Sequence, residues 1–470
     1  MTGSFPVRIS RPEPFGRGRK EARFRFLFRF PARIIAVSFA MVILIGTFLL
    51  MLPASSRDGS WTPLLDCLFT ATSATCVTGL VIYDTYTHWT GFGQCVILLL
   101  IQTGGLGLVT MTSFFSMAVG RRLERRNLDL ARESIGTQEF TIRPLLRLVV
   151  GGALAAEGAG ALLLMIALVP QYGAQGIFFS IFTAVSAFCN AGFDLFGGQG
   201  LFSSLTNYNG NPLIMGTVSA LIIAGGLGFV VYYDLFQYRR TRTLLLHTRV
   251  VLAATGILLL SGMLMTLACE WTNPATLGAL PNNAQRLGAA WFYSVTCRTA
   301  GFNSFPCDLM RGSTKVLSAL FMFIGAAPSS TGGGIKCTTA VVLAATVCSV
   351  ARGDEEVVLF RRRLDHGTVY KSLAVVLMGL SAVAMSAACV MLTDGAAEIS
   401  GIDAFYESVS AFATVGISVG VTGAASQISR GLLILLMYMG RLGPVSFLLS
   451  LAMRREPSSR RVLPEGQIGI

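Results

Sequence analysis

The sequence has little charge and little histidine. Charged residues make up 13% of the 470 positions, whereas 53% are hydrophobic. The mean hydropathy of +0.64 is too high for an ordinary soluble domain, and several apolar runs are long enough to cross a bilayer. The three histidines, His88, His247 and His366, are scattered and give no catalytic or metal-site signature. We therefore predict a polytopic membrane protein.

Motifs that would indicate an enzyme are also missing. The ten cysteines form no CxxC pair and mostly lie in apolar stretches, so we predict buried thiols rather than disulfides. The sequence GGGIKCTT is not a phosphate loop, because Ile335 precedes the lysine and no strand comes before it. We predict that the chain is not an enzyme and binds no nucleotide itself.

Basic residues are present in excess, giving a net charge of +13, but their placement excludes a nucleic-acid partner. Of the 37 basic residues, 29 lie in five segments at the ends of apolar runs: 1–33, 121–147, 239–249, 352–371 and the tail from 454. By the positive-inside rule these segments and both termini are cytoplasmic in a plasma-membrane protein. The first apolar run, 34–52, is predicted to be a transmembrane helix because it is too long and too late for a signal peptide. The basic tail 1–33 is predicted to be attracted to anionic lipid.

A short motif recurs four times and organises the chain. The copies are FTATSATCVTGL, FTAVSAFCNAGF, WFYSVTCRTAGF and YESVSAFATVGI, each with an aromatic residue ten positions before a glycine. The glycines, Gly79, Gly192, Gly301 and Gly416, are 113, 109 and 115 residues apart. This spacing indicates an internal fourfold repeat.

Each repeat reads as an apolar helix, a short re-entrant segment that ends in the glycine, and a second apolar helix. The first helices are predicted at 34–53, 145–170, 250–269 and 370–392, and the second at 92–120, 213–236, 316–350 and 432–453. We predict six parts: a basic segment 1–33, repeats 34–126, 127–243, 244–360 and 361–453, and a tail 454–470. The fold class is an all-α polytopic membrane protein with eight transmembrane helices and four pore helices around one pseudo-fourfold pore.

Four segments too short to span the membrane are tolerated at that depth only if they are buried or line water. Short helices entering from outside direct their partly negative C-terminal ends to the membrane centre, which favours a cation. Glycine then permits the positive φ that turns carbonyl groups toward an axis, where they replace the hydration shell of an alkali cation. The repeat therefore predicts a selectivity filter.

These four motifs resemble the filters of the Trk/Ktr/HKT potassium-transporter superfamily, and the resemblance extends from about residue 34 to the end. Within that superfamily the chain looks most like the Ktr B subunit, with which it shares the ending PEGQIGI. The resemblance implies a potassium filter with one glycine per repeat. Sodium-selective plant relatives have serine at the first position, so Gly79 argues for potassium. The filter residues implied in this way are Thr75, Cys76, Val77, Thr78, Gly79, Cys189, Asn190, Ala191, Gly192, Arg298, Thr299, Ala300, Gly301, Ala413, Thr414, Val415 and Gly416.

The second helix of repeat three contains GAAPSSTGGGIK, which proline and glycine should interrupt at mid-membrane. The corresponding stretches TGGLGLVT and AGGLGFVV carry glycine but predict no such break, and their glycines are interpreted as close helix packing. The resemblance implies that the interrupted segment is a gating loop beneath the filter, near an arginine of the fourth repeat. The gate residues are Gly325, Ala326, Ala327, Pro328, Ser329, Ser330, Thr331, Gly332, Gly333, Gly334, Lys336 and Arg441.

Other charged residues at membrane depth have competing interpretations. Asp66 and Asp403 suit N-terminal caps better than an ion-binding role. Glu157 is interpreted as a packed or hydrogen-bonded acid, with a proton relay as the alternative. Arg298 is predicted to brace filter three from behind, and Lys336 to close the inner half of the broken helix.

The leading function is gated, channel-like potassium uptake, with potassium as the transported ion and sodium left open as an activator. The resemblance implies a homodimer and a cytosolic regulatory ring of the RCK/KTN type that binds ATP, ADP or NADH. An obligatory sodium- or proton-coupled symporter is the alternative, with Glu157 as its only obvious relay. A non-transporting scaffold would require dispensable filter glycines.

Overall fold

The computed structural model describes residues 31–107, 110, 142–354, 356–394 and 399–451. The predicted tail 454–470, most of the basic segment 1–33 and the distal part of the second helix at 92–120 lie outside these residues. Their predictions therefore stay predictions.

The described residues form α-helices, four short 3₁₀ helices and one small hairpin. The all-helical prediction did not include the hairpin. The strands of the hairpin, β1 Val358–Leu359 and β2 Arg362–Arg363, pair antiparallel. The helices are α1 Pro31–Met51, α2 Leu64–Thr75, α3 Thr85–His88, α4 Gly91–Leu106, α5 Ile142–Tyr172, α6 Gln175–Phe188, α7 Pro212–Gly226, α8 Phe229–Thr241, α9 Leu246–Glu270, α10 Asn283–Thr296, α11 Gly312–Phe323, α12 Cys337–Arg352, α13 His366–Thr393, α14 Gly401–Ala413, α15 Val421–Ala424, α16 Gln427–Leu442 and α17 Pro444–Leu451.

Four helices in the described part of the chain, α1, α5, α9 and α13, are long and apolar enough to cross a membrane. They match the predicted first helices. Helices α7 and α8 make a fifth candidate if they are taken as one span, although they are bent by 89°. The predicted eight crossings additionally require the shorter helices of the other repeats.

Each of the short helices α2, α6, α10 and α14 packs against the long helix that precedes it. The aromatic position of the repeated motif explains part of this packing, because Phe69, Phe182 and Tyr406 are completely buried there. Burying an aromatic side chain of this size removes a large apolar surface from solvent and fixes the helix in place. The motif's aromatic residue is therefore a core residue in repeats one, two and four, while Trp291 of repeat three is partly buried.

The second helices are interrupted in more repeats than the sequence predicted. Helix α4 ends before Gly107, α7 ends before Gly228, and α16 ends before Gly443, and these three glycines have φ of +81°, +88° and +84°. The prediction that TGGLGLVT and AGGLGFVV contain no break was wrong. A single glycine in the left-handed region ends a helix without proline or a glycine run. Repeat three differs in the length of its break, residues 324–336.

Cysteines follow the prediction. All ten are free thiols, and six are buried: Cys67, Cys76, Cys189, Cys297, Cys307 and Cys337. They act as small core residues.

Ion pairs join consecutive repeats at the start of two pore helices. Arg430 Nη1 lies 2.7 Å from Asp66 Oδ1, and the Tyr83 hydroxyl donates to Asp66 Oδ2 at 2.7 Å. Lys315 Nζ lies 2.7 Å from Asp403 Oδ1. Asp66 and Asp403 were predicted to be N-caps, which is wrong, because each stands in the first turn, after the cap positions Pro63 and Ser400. Each carboxylate instead forms an ion pair with a cation of the neighbouring repeat.

We predict that Asp66→Asn destabilises the fold by roughly 2 kcal/mol, because it removes a charge-assisted pair and leaves a mostly buried guanidinium without its counter-charge. Thermal unfolding of purified protein in detergent measures the effect. Asp58→Asn, at an exposed neighbouring carboxylate, is the control. Equal melting temperatures for the two variants would contradict the assigned role of the pair.

Candidate functional site

The four glycines of the repeated motif meet at one place. A Cβ on Gly79 would lie 2.6 Å from Ala191 O, and one on Gly192 would lie 2.8 Å from Ala300 O. A Cβ on Gly301 would lie 2.7 Å from Val415 O, and one on Gly416 would collide with Thr78 O, which completes the ring. No side chain fits at these four positions, so the repeats approach one another backbone to backbone.

The backbone at the ring has a repeated pattern of positive φ. The glycines have φ of +96°, +72°, +84° and +89°. The residues two positions earlier are also left-handed, at +57° for Val77, +59° for Asn190, +70° for Thr299 and +51° for Thr414. Such angles are strained for side chains with a Cβ, above all for β-branched ones, and persist only where the surroundings impose them. The sequence did not predict this feature, because of the four residue types only asparagine favours a positive φ.

Hydrogen bonds tie the segments that end at the ring glycines to the short helices before them. Thr78 N donates to Ser73 O at 2.8 Å, and Gly79 N donates to Ser73 Oγ at 3.1 Å. Repeat four reproduces both bonds, with Val415 N and Gly416 N on Ser410 at 2.9 and 3.1 Å. The serine six positions before the glycine thus holds this segment against the end of the short helix.

Every predicted filter residue is buried, and all seventeen lie at the ends of the four short helices. Their C-terminal carbonyl ends direct partial negative charge toward the ring. The structure brings together residues of different repeats, since the Asn190 amide contacts the Thr299 hydroxyl at 3.3 Å. Arg298 is buried beside filter three, and its Nε and Nη2 have no hydrogen-bond partner among the described residues, so its role as a brace stays a prediction.

An outer cavity of 460 Å³ opens on one side of the ring and is lined by all four glycines. Asp84, Asp194 and Asp308 also line it, and carboxylates at the mouth attract cations. Burial raises the pKa of Asp194 to about 6, with the nearby Asp84 carboxylate adding to the rise.

Residues 324–336, here called the intramembrane loop, lie on the other side of the ring. Gly333 N donates to Thr414 Oγ1 at 3.0 Å, and a Cβ on Gly332 would collide with Thr299 Oγ1. The loop therefore touches filters three and four directly. Ala326, Ala327 and the run 331–335 are buried there.

The intramembrane loop is held by repeat two as well. Ala327 N donates to Gly226 O at 3.1 Å, Thr331 N to Gly225 O at 3.2 Å, and Thr331 Oγ1 to Phe188 O at 3.1 Å. In return Phe229 N donates to Ser329 O at 2.9 Å. The break after α7 supplies three of these partners, Gly225 O, Gly226 O and Phe229 N, because it frees backbone groups that a continuous helix would use internally.

Two cations bind carbonyl groups of the loop, Arg441 from α16 and Lys336 at the end of the loop itself. The Arg441 guanidinium donates to Thr331 O, to Gly104 O and, at 3.0 Å, to Gly105 O. Lys336 Nζ donates to Gly332 O at 2.7 Å, and Lys336 is also the residue that precedes α12. An inner cavity of 260 Å³ follows, lined by both cations, Gly332 and Gly105.

Glycines of the second helices press on the pore helices. A Cβ on Gly104, Gly225 or Gly440 would overlap Thr75 O, Phe188 O or Phe412 O respectively. This agrees with the interpretation of close packing through small residues. The Leu-Gly pairs that follow in repeats one, two and four are the sequence signal that would have found the helix breaks.

Glu157 is buried and hydrogen-bonded. Gln102 Nε2 donates to both carboxylate oxygens at 3.1 Å, and Cys189 Sγ lies 3.7 Å from Oε1. Glu157 therefore contacts filter two from behind and does not line either cavity. This contact agrees with the interpretation of a hydrogen-bonded acid.

The chain is 38% identical to the Ktr system potassium uptake protein B of Bacillus subtilis over 93% of its length and 96% of that protein's. It is 37% identical to the potassium/sodium uptake protein NtpJ of Enterococcus hirae, over 90% of this chain and 93% of that one.

The fold is shared with a solved structure. The potassium transporter TrkH from Vibrio parahaemolyticus aligns with a TM-score of 0.65 at 18% identity, covering 89% of this chain and 85% of that one. The TrkH family, described as cation transport proteins, matches residues 18–461. The chain is therefore a multi-pass membrane protein that belongs to the TrkH cation transport family, which is a family of transporters and not of enzymes.

Proposed function

We propose that this protein takes up potassium through a gated, channel-like pore. The observation that carries the proposal is the ring of four glycines with the hydrogen-bonded intramembrane loop directly beneath it. Carbonyl groups at Thr78, Ala191, Ala300 and Val415 would coordinate the ion in place of water. The names of the two curated relatives, both uptake proteins for potassium, support this assignment. Sodium is a second ion or an activator in this proposal.

The membrane arrangement follows from the same proposal. Eight crossings and four re-entrant helices form one pseudo-fourfold unit, with repeats 34–126, 127–243, 244–360 and 361–453 and both termini in the cytoplasm of the plasma membrane. The concentration of basic residues in alternate loops supports this orientation. Breaks at Gly107, Gly228 and Gly443 would let the inner halves of the second helices diverge from their outer halves.

The protein would act as a homodimer with a cytosolic nucleotide-binding ring. The word "system" in the name of the Bacillus subtilis relative supports a multi-subunit assembly. Binding of ATP, ADP or NADH would then belong to the ring, and membrane lipid would contact the basic segment 1–33.

Gly79→Ser tests the filter. Gly79 has φ of +96° and no space for a Cβ, so serine would displace the carbonyls of filter one. Strain of roughly 1–3 kcal/mol at such a residue should lower potassium influx into proteoliposomes and raise the ratio of sodium to potassium flux several-fold. Gly158→Ser, at an exposed helix position with open space around it, is the matched control. An unchanged ratio would place the selective site elsewhere.

Arg441→Gln tests the gate. Loss of the guanidinium bonds to Thr331, Gly104 and Gly105 should release the intramembrane loop, and potassium flux should rise about tenfold. A deletion within 326–333 should act in the same direction. Arg352→Gln, at the exposed end of α12, should leave flux unchanged. Reduced flux in both Arg441→Gln and the deletion variant, with intact folding, would show that the loop supports the pore and does not obstruct it.

Glu157→Gln separates the channel from a coupled symporter. Glutamine keeps an acceptor for Gln102 and removes the titratable group, so channel-like transport should persist near the wild-type rate. Potassium flux and thermal stability are measured together. Loss of transport by a variant that melts like wild type would favour the obligatory symporter.

A further inference from the structure

The four repeats meet at seams where the second helix of one repeat packs on the pore helix of the next. Two seams are closed by the ion pairs Lys315–Asp403 and Arg430–Asp66. Each cation stands fourteen residues after its own filter glycine, and each carboxylate stands thirteen residues before the next one. The two ion pairs are thus the same interaction at matching positions of the repeats.

The seam between repeats one and two lacks such an ion pair. Its matching positions are Gly93 and Phe179, neither of which carries charge. A crevice of 490 Å³ lies at this seam instead, between the start of α4 and the start of α6. Its walls are mainly apolar and include Tyr86, Cys95 and Phe178.

One cation, Arg57, lies at this crevice. Its guanidinium stacks on the Tyr86 ring at 4.6 Å from the centroid, and its Nε donates to Trp89 O at 3.3 Å. Among the described residues Arg57 forms no ion pair, and neither terminal nitrogen has a protein hydrogen bond. The residue is exposed, so these donors face the surroundings of the protein.

The crevice lies level with helix ends, where the interface of a membrane spanned by these helices would fall. Arg57 follows the end of α1, Gly91 begins α4, and Gln175 begins α6, so all three mark ends of helices on the filter side. At this depth an arginine meets phosphate groups, while apolar walls below it meet acyl chains. The exposed Trp61 and Phe92 nearby in sequence are typical of this interfacial zone.

We propose that a phospholipid occupies the crevice, with its phosphate on Arg57 and one acyl chain between α4 and α6. A guanidinium with free donors suits a phosphate, which accepts two parallel hydrogen bonds. The lipid would replace the missing ion pair and hold pore helix two, which leads into filter residues Cys189–Gly192. The proposal depends on membrane insertion of the fold and not on the identity of the transported ion.

Native mass spectrometry of the purified full-length protein, titrated with phosphatidylglycerol, tests the site. Arg57→Gln should weaken the tightest lipid-binding step about tenfold through loss of charge-assisted hydrogen bonds. Cys95→Trp, which fills the crevice and keeps Arg57, should abolish that step. Arg286→Gln is the matched control, because Arg286 also stacks on an aromatic ring, Trp271 at 5.5 Å, but donates to Leu280 O and Gly278 O.

The outcomes are distinct. Loss of the bound lipid in the two crevice variants, its retention in the control, and no displacement by inorganic phosphate would support a phospholipid site. Equal lipid binding by all variants, or displacement by inorganic phosphate alone, would overturn the proposal. Dissociation of a dimer by Cys95→Trp without a change in lipid binding would also overturn it and identify the crevice as a subunit contact.

Discussion

The structure depends on the mutual contact of four glycine backbones. At Gly79, Gly192, Gly301 and Gly416 a Cβ would collide with backbone of the next repeat, so any other residue there would force the ring backbone to shift. Closure in turn determines where the pore helices end and in which direction their carbonyls point. The buried aromatic residues ten positions earlier and the serines that bond the glycine amides are consequences of that placement.

A second layer of small residues supports the ring. Gly104, Gly225 and Gly440 let the second helices touch the carbonyl ends of the pore helices, where a methyl group would already overlap. Packing between helices in lipid depends on such close approach. Lipid tails are as apolar as the side chains, so moving a side chain out of lipid supplies no hydrophobic driving force. The seams differ nearer the starts of the pore helices. Two seams are joined by ion pairs, and a third contains an open crevice.

The sequence predicted the elements whose signal is local and repeated. The filter motif, the four long helices and the long break in repeat three were all evident, because each rests on a composition that few other structures use. The positive φ of Val77 and Thr414 was not predictable, since it is imposed by contacts between repeats and not by residue type. The same holds for the Asp66–Arg430 pair, whose members are 364 residues apart.

The single-glycine breaks at Gly107, Gly228 and Gly443 fall between these cases. Glycine within an apolar helix is usually interpreted as packing, and Gly104 and Gly225 do pack closely. The distinguishing signal was the recurrence of Leu-Gly after those packing glycines in several repeats. Proline drew attention to repeat three alone, although a left-handed glycine is sufficient to end a helix.

The bonds of the intramembrane loop indicate how such a gate would be controlled. The loop is fixed to repeat two by four hydrogen bonds, to repeat four by the bonds of Gly333 and Gly334, and to Arg441 by Thr331 O. Each buried group left without a partner costs about 1–3 kcal/mol, so release of these bonds without replacement would cost more than the roughly 5.5 kcal/mol that inverts a 1:99 equilibrium. Opening therefore requires new partners for these backbone groups, either water that enters the cavity or an input of free energy from outside the membrane domain. The inner cavity beside Lys336 and Arg441 is the place where both would act, because the loop is accessible there without disturbing the glycine ring.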